Sequence, residues 1–205
     1  MIIKQYTLGP IENNNYLVVD ETTKDAALID ATGMSDELVK DVENLNCDVK
    51  YILLTHGHFD HITGVQELKK YFGAKVFMNE LDMDWVKNIN LVLPQFDISP
   101  VEIPVIDDFI NDGDKIKIGG LIFKVISTPG HTKGGVCYLI ENVLFSGDTL
   151  FRDCVGRCDL PGGNYKDIQK SIKEKLFTLP EDTIVYPGHG APTSIGYEKE
   201  FNKEI

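Results

Sequence analysis

The sequence predicts an α+β fold in which two face-to-face β-sheets lie between outer helices, a four-layer αββα sandwich. Strand-like apolar runs outnumber helical segments, each half of the chain contains both kinds, and no Ser/Gly/Pro-rich linker separates the halves. Both halves must therefore pack on a shared core, and two sheets covered by helices accommodate them. We expect a single domain spanning residues 1–205.

In the first half, apolar or alternating runs predict strands at residues 2–8, 16–19, 26–29, 51–54 and 75–78. Helical spacing predicts helices at residues 35–45, 63–72 and 80–87. Ser35 is a plausible N-cap of the first helix, and Asn13-Asn14-Asn15 are expected in a turn. Residues 88–112 contain three prolines and are expected to form a long loop.

The second half repeats this alternation of strands and helices. Apolar runs predict strands at residues 115–118, 121–127, 136–140, 143–145 and 183–185. Gly119-Gly120 and Glu141-Asn142 are the expected turns between paired strands. Helices are expected at residues 167–177 and 198–204.

The stretch Thr55 to His61, THGHFDH, places four potential metal ligands within six residues. It lies between a predicted buried strand and a predicted helix, at the strand end where α/β sheets place their sites. His56 and His58 point the same way in an extended turn, whereas Asp60 and His61 can face a second position. The spacing favours two metals side by side over a polar loop with structural histidines.

The other two of the five histidines also follow strand-like runs. His131 lies in TPGHT and His189 in YPGHG, both within Pro-Gly turns that hold a side chain at the end of a sheet. Asp148, in SGDT, follows a third apolar run. We therefore expect three strand ends to deliver His131, Asp148 and His189 to the site begun by THGHFDH.

Composition excludes several classes of protein. The net charge of -12 is offset by no basic stripe, which argues against a nucleic-acid surface. The N-terminus lacks the apolar core of a signal peptide, and no run is long enough to span a membrane. The four cysteines show no disulfide framework, although Cys154 and Cys158 leave open a redox pair or a third metal site. We expect a cytoplasmic protein with a small-molecule substrate and no membrane partner, and its oligomeric state is left open.

THGHFDH, TPGHT, SGDT and YPGHG, in that order, resemble the metallo-β-lactamase superfamily, and most closely its glyoxalase II (hydroxyacylglutathione hydrolase) branch. The resemblance extends from about residue 13 to about residue 200, and residues 155–163 and 192–198 resemble short bacterial members of that branch. The helical domain with which longer glyoxalase II enzymes bind glutathione has no counterpart up to Ile205. The resemblance implies one metal at His56, His58 and His131, another at Asp60, His61 and His189, and Asp148 between them.

The ligands offer only nitrogen and oxygen, which suits Zn²⁺, Fe²⁺ or Mn²⁺. We expect two divalent ions, with Zn²⁺ the first expectation, and a shared water that becomes hydroxide near neutral pH. The hypothesis is attack on a thioester carbonyl, as in S-lactoylglutathione. Asp60 and Asp148 are the expected catalytic carboxylates, and Asp60 would orient the nucleophile or carry its proton.

Three further residues are candidates for substrate binding. Arg157 offers a guanidinium for a substrate carboxylate, with an exposed salt bridge as the equal alternative. Tyr16 and Tyr197 are expected to line the pocket, although single tyrosines are more often core or rim residues.

Other activities remain open from the sequence. His56, His131 and Asp148 alone would form the 2-His-1-carboxylate triad of a mononuclear-iron enzyme, as in persulfide dioxygenases of the same superfamily. A lactonase or another ester hydrolase would use the same activated water. A metal-stabilised binding module without turnover would be expected to lack a ligand, whereas all seven positions are filled.

Overall fold

The computed structural model describes residues 1–205, and its strands form two six-stranded sheets and a two-stranded ribbon. The strands are β1 (Ile2–Leu8), β2 (Asn13–Val19), β3 (Asp25–Ile29), β4 (Asp48–Leu53), β5 (Lys75–Met78), β6 (Asp108–Phe109), β7 (Lys115–Ile118), β8 (Leu121–Ser127), β9 (Val136–Ile140), β10 (Val143–Gly147), β11 (Leu150–Phe151), β12 (Cys154–Val155), β13 (Ile184–Pro187) and β14 (Thr193–Ser194). The helices are α1 (Asp36–Leu45), α2 (Phe59–Ile62), α3 (Val65–Phe72), α4 (Met83–Lys87), α5 (Ile89–Val92), α6 (Tyr165–Glu174) and α7 (Ile195–Phe201). Short 3₁₀ turns cover Glu80–Asp82, Leu93–Phe96 and Leu176–Thr178.

The directions of the strands determine where the candidate ligands lie in the fold. The first sheet has the order β1-β2-β3-β4-β5-β6, and β3 and β4 are parallel. The second has the order β14-β13-β10-β9-β8-β7, and β8, β10 and β13 run in one direction because β9 is antiparallel to both of its neighbours. The loops that follow β8, β10 and β13 therefore leave the second sheet at one edge, and they carry His131, Asp148 and His189.

Three separate hydrophobic clusters establish the four layers. Residues alternate along β2, so that Tyr16 and Val18 pack between the sheets while Leu17 and Val19 pack under α1 and α3. A third cluster joins the outer face of the second sheet to Ile168 of α6. Each large side chain buried in these clusters contributes about 1.5–3 kcal/mol. The predicted αββα sandwich is confirmed.

Most predicted elements are found within a few residues of their expected limits. Ser35 caps α1 by accepting a 3.1 Å hydrogen bond from the Leu38 backbone N–H. The helix expected at residues 63–72 is found as α3, and a separate short helix that was not predicted, α2, precedes it and contains Asp60 and His61. None of the helices has both the length and the apolar character needed to cross a bilayer.

Two expectations are wrong. Asn13, Asn14 and Asn15 begin β2 and are buried, because their amides hydrogen-bond to neighbouring loops instead of turning the chain. Residues 88–112 are not one long loop, because α5, a 3₁₀ turn and β6 lie within them. Pro94 falls in the first turn of that 3₁₀ segment, where its missing N–H has no helical partner to lose.

Candidate metal centre

The structure brings all seven predicted ligands into one cluster at the ends of the strands. His56 and His58 lie in the loop after β4, Asp60 and His61 in α2, and the other three follow β8, β10 and β13. Within the cluster, ligand atoms lie within 4.8 Å of one another in three groups. These groups are His56, His58 and His131; His56, His61 and Asp148; and Asp60, His61 and His189.

The first group, hereafter the first position, consists of the ring nitrogens of His56, His58 and His131. His58 Nδ1 lies 3.1 Å from His56 Nε2 and 2.8 Å from His131 Nε2. His131 Nδ1 lies 2.7 Å from the carbonyl oxygen of Arg157, which can only accept, so this nitrogen carries the proton. In the neutral imidazole, the Nε2 of His131 is then the nitrogen with the free lone pair, and it points at its neighbours.

The second position consists of Asp60, His61 and His189. Asp60 Oδ2 lies 3.2 Å from His61 Nε2 and 3.2 Å from His189 Nε2. Asp148 lies between the positions, with Oδ1 3.3 Å from His61 Nε2 and Oδ2 3.4 Å from His131 Nε2. One carboxylate thus reaches a histidine of each position.

A buried carboxylate supports the ligands from behind. Asp30 directly follows β3 with a φ of 57°, a conformation that is costly for a residue with a side chain. Its Oδ2 lies 2.7 Å from His61 Nδ1 and accepts a 2.8 Å hydrogen bond from Thr55 Oγ1. Thr55 Oγ1 lies 3.1 Å from His56 Nδ1. Asp30 therefore fixes the ring of His61 directly and that of His56 through a hydroxyl group.

Sequence reasoning missed a second buried carboxylate, Asp82, which ties two ligand loops together. Its side chain accepts hydrogen bonds from the Gly57 N–H at 3.0 Å, the Thr132 hydroxyl at 2.7 Å and the Gly134 N–H at 2.7 Å. A Cβ added at Gly134 would lie 2.7 Å from Asp82 Cγ, so the loop must approach closely. The signal in the sequence was a Gly within the first histidine motif, Gly57, and another shortly after TPGHT, Gly134.

The charges at the two positions differ. Burial lowers the pKa of His58 to about 3 and holds that of His56 well below its ordinary value. Burial also acts to lower the pKa of His61, but the carboxylates of Asp60, Asp30 and Asp148 outweigh it and raise that pKa. For Asp60, burial acts to raise the pKa, but His61 and His189 outweigh it and hold the pKa well below its usual range.

The donor set fits divalent cations. Several histidine lone pairs converge with two carboxylates, and such a group of acceptors is stable only around positive charge. The buried Oδ1 of Asp148 has no hydrogen-bond partner, although a buried carboxylate oxygen is costly unless it is paired. A cation between Asp148 and the histidines would supply that partner.

A cavity of about 760 Å³ opens above these ligands, within the size range of small-molecule sites. Of the three substrate-binding candidates, Arg157 lines it, and its guanidinium makes two 2.7 Å hydrogen bonds to Asp159. Tyr16 does not, because it is buried between the sheets and donates a 2.6 Å hydrogen bond to the Pro187 carbonyl. Tyr197 also lies outside the lining and hydrogen-bonds to Asp153 at 2.9 Å. The expectation that these two tyrosines line the pocket is therefore corrected.

Cys154 and Cys158 are free thiols, and neither belongs to a group of potential metal ligands. The structure thus forms no disulfide and gathers no third set of ligands at this C-x3-C spacing.

Comparisons with known proteins agree with this geometry. The chain is 35% identical over 98% of its length to hydroxyacylglutathione hydrolase GloC of Haemophilus influenzae, covering 97% of that protein. The structure is similar to that of BLEG-1, described as a B3 metallo-beta-lactamase, with a TM-score of 0.88, 36% identity and 98% coverage of both chains. It is also similar to that of TTHA1623 in a di-iron-bound form, with a TM-score of 0.87, 34% identity and coverage of 98% and 100%.

The sequence profile of the metallo-beta-lactamase superfamily matches residues 8–189, a span that begins before β2 and ends at the last predicted ligand. All seven predicted ligands lie within it. Because the family profile matches most of the chain, and because the sandwich fold and the clustered ligands agree with it, the chain belongs to the metallo-β-lactamase superfamily of metal-dependent hydrolases.

Proposed function

We propose that the protein hydrolyses thioesters of the S-lactoylglutathione type with two divalent metals, Zn²⁺ first among them. The observation that carries the proposal is the pair of three-residue positions joined by Asp148 beneath one cavity. The 35% identity to a protein named hydroxyacylglutathione hydrolase supports the choice of a thioester. A di-iron form of a similar structure supports Fe²⁺ as the second choice of metal.

When bound, divalent metals would supply Lewis-acid activation of a water molecule and of the substrate carbonyl. The chain's own residues provide orientation and proton transfer. Asp60 is buried and held as a carboxylate, so it can accept a hydrogen bond from the attacking water and fix its direction. The thiol leaving group needs little help from an acid, because a free thiol has a pKa near 8.5.

Arg157 is the proposed contact for a substrate carboxylate. It lines the cavity, and its side chain is 63% exposed, so an incoming carboxylate can reach it. The ion pair with Asp159 means that the substrate would compete for the guanidinium or share it. We therefore expect Arg157 to affect KM more than kcat.

The test is thiol release from S-D-lactoylglutathione by metal-loaded and chelator-treated protein, together with the Asp148→Ala variant. We expect metal-dependent release and a fall of about 10³-fold in kcat/KM for Asp148→Ala, because the metals supply several kcal/mol of transition-state stabilisation. Asp182→Ala, at an exposed site, is the matched control and should retain full activity. Wild-type rates of thiol release in a folded Asp148→Ala variant would contradict the proposed metal-dependent thioesterase function.

Two other activities share the site and are outcomes of the same experiment. The similarity to BLEG-1 favours a β-lactam or another cyclic ester or amide as the second candidate class. If the metal-loaded protein releases no thiol, hydrolysis of a lactone and of a β-lactam is measured next. Oxygen uptake with glutathione persulfide, together with a metal count of one iron per chain, would instead indicate a persulfide dioxygenase.

A further inference from the structure

The walls of the cavity are apolar. One wall comes from the segment that contains α4 and α5, which contributes Trp85, Ile89 and Phe96 to the lining. The Phe96 ring stacks on Phe59 with centroids 4.3 Å apart, and the Trp85 ring meets His58 edge-on at 4.4 Å. This aromatic and aliphatic surface, hereafter the apolar wall, borders the first metal position.

Lysine and arginine side chains are scarce around the same cavity. Arg157 is the only lysine or arginine that lines it, and its guanidinium is already paired with Asp159. Arg157 also lies at the solvent side, since its side chain is 63% exposed. A charged part of a substrate therefore fits near the rim, and an uncharged part fits against the apolar wall.

We propose that, besides a lactoyl group, the site takes thioesters with an apolar acyl group, an alkyl chain or an aromatic ring, and that this group packs against Trp85 and Phe96. The inference rests on the proposed thioesterase function for its chemistry. The thiol portion then extends past Arg157 toward solvent. Burial of each methylene against such a surface improves binding by up to about fourfold until the space is filled.

The first test uses one thiol and a series of acyl groups. Metal-loaded protein is assayed for thiol release from S-acetyl-, S-butyryl-, S-hexanoyl- and S-octanoylglutathione. We expect kcat/KM to rise along the series, with Phe96→Ala reducing the octanoyl value by about tenfold and leaving the acetyl value within twofold. Leu91→Ala is the matched control, because Leu91 belongs to the same segment, is 73% exposed and does not line the cavity.

The second test does not depend on turnover. Trp85 is the single tryptophan of the chain, so intrinsic fluorescence reports directly on the apolar wall. Metal-loaded protein is titrated with acetate, butyrate, hexanoate and octanoate, which mimic the carboxylate product. We expect the fluorescence change to saturate for each carboxylate, and we expect the Kd obtained from it to fall as the chain lengthens.

The two tests separate the two proposals. A fall in Kd with chain length but no thiol release from any thioester would overturn the thioesterase function and leave the apolar acyl site standing. Thiol release with a flat dependence on chain length, and a flat Kd, would overturn the acyl site and leave the thioesterase function standing. Equal loss of acetyl and octanoyl activity in Phe96→Ala would also count against the acyl site.

Discussion

The two metal positions differ in what stands behind their ligands. The rings of the first position are backed by neutral oxygens, the Thr55 hydroxyl at 3.1 Å from His56 and the Arg157 carbonyl at 2.7 Å from His131. The second position contains the carboxylate of Asp60, and Asp30 places a further carboxylate 2.7 Å from His61 Nδ1. Negative charge is therefore concentrated on one side of a site whose two halves share Asp148.

This difference predicts unequal metal affinities. A carboxylate behind an imidazole makes the ring a stronger ligand, and its charge attracts a divalent ion directly. We expect a chelator titration to remove metal in two steps, with the metal of the first position leaving first. His131→Ala and His189→Ala, each of which removes a ligand of one position, assign the two steps.

Among the variants considered, Asp30→Asn is expected to have the largest effect on the difference in metal affinity between the two positions. Removing the charge behind His61 should weaken the tighter of the two metal steps by about 10–100-fold, because outer carboxylates contribute affinities of that size. The measurement is competition with a chelator, followed by metal analysis of the protein. Circular dichroism checks that the buried change leaves the sandwich folded.

Thr55→Val is the counterpart of Asp30→Asn. It removes the neutral hydroxyl behind His56 while keeping the shape of the side chain, so the weaker metal step should change more than the tighter one, because Asp30 loses one donor but keeps its charge beside His61. Equal weakening of both steps by Asp30→Asn would show that Asp30 supports the whole cluster rather than the second position.

A smaller effect, of about tenfold, is expected from Asp82→Asn, this time at the first position. An amide retains only one oxygen, so at least one of the hydrogen bonds from Gly57, Thr132 and Gly134 is lost. A hydrogen bond to a buried charged group contributes about 1.5–3 kcal/mol, part of which appears here as metal affinity. The weaker metal step should become weaker still, and the tighter step should stay unchanged.

Asp84→Asn provides the matched control for Asp82→Asn, because Asp84 is exposed on the same segment and its carboxylate makes no hydrogen bond. A loss of thermal stability in Asp82→Asn with both metal steps intact would mean that Asp82 supports the fold and not the metal position.

Both the fold and the clustering of the seven ligand side chains can be predicted from the sequence, because both depend on local patterns of residues. Apolar runs set the strands, and the motifs at the strand ends carry their ligands within a few residues. The supporting residues were not predictable in this way. Asp82 contacts Gly57, 25 residues away, and Gly134, 52 residues away, and nothing local distinguishes it from an exposed aspartate.

The strand at the asparagines that begin β2 is not predicted from the sequence for the same reason. Asn-rich segments usually turn, but Asn14 donates to the carbonyl oxygens of Pro187 and Gly190, on either side of His189. Its partners lie 173 and 176 residues away, so the local pattern indicates a turn where long-range hydrogen bonds produce a strand.

Tyr16 gives the smallest expected effect and tests the same distinction between support and substrate contact. Its hydroxyl donates a 2.6 Å hydrogen bond to the Pro187 carbonyl, which also accepts from Asn14 at 3.1 Å. Tyr16→Phe should lower the free energy of unfolding by about 1 kcal/mol, because one buried hydrogen bond is lost while the carbonyl keeps a partner. Denaturant titration measures this change, and hydrolysis should remain within twofold of the wild-type rate. A raised KM at unchanged stability would return Tyr16 to the substrate contacts, and loss of the tighter metal step would show that the strand holds His189 through this one hydroxyl.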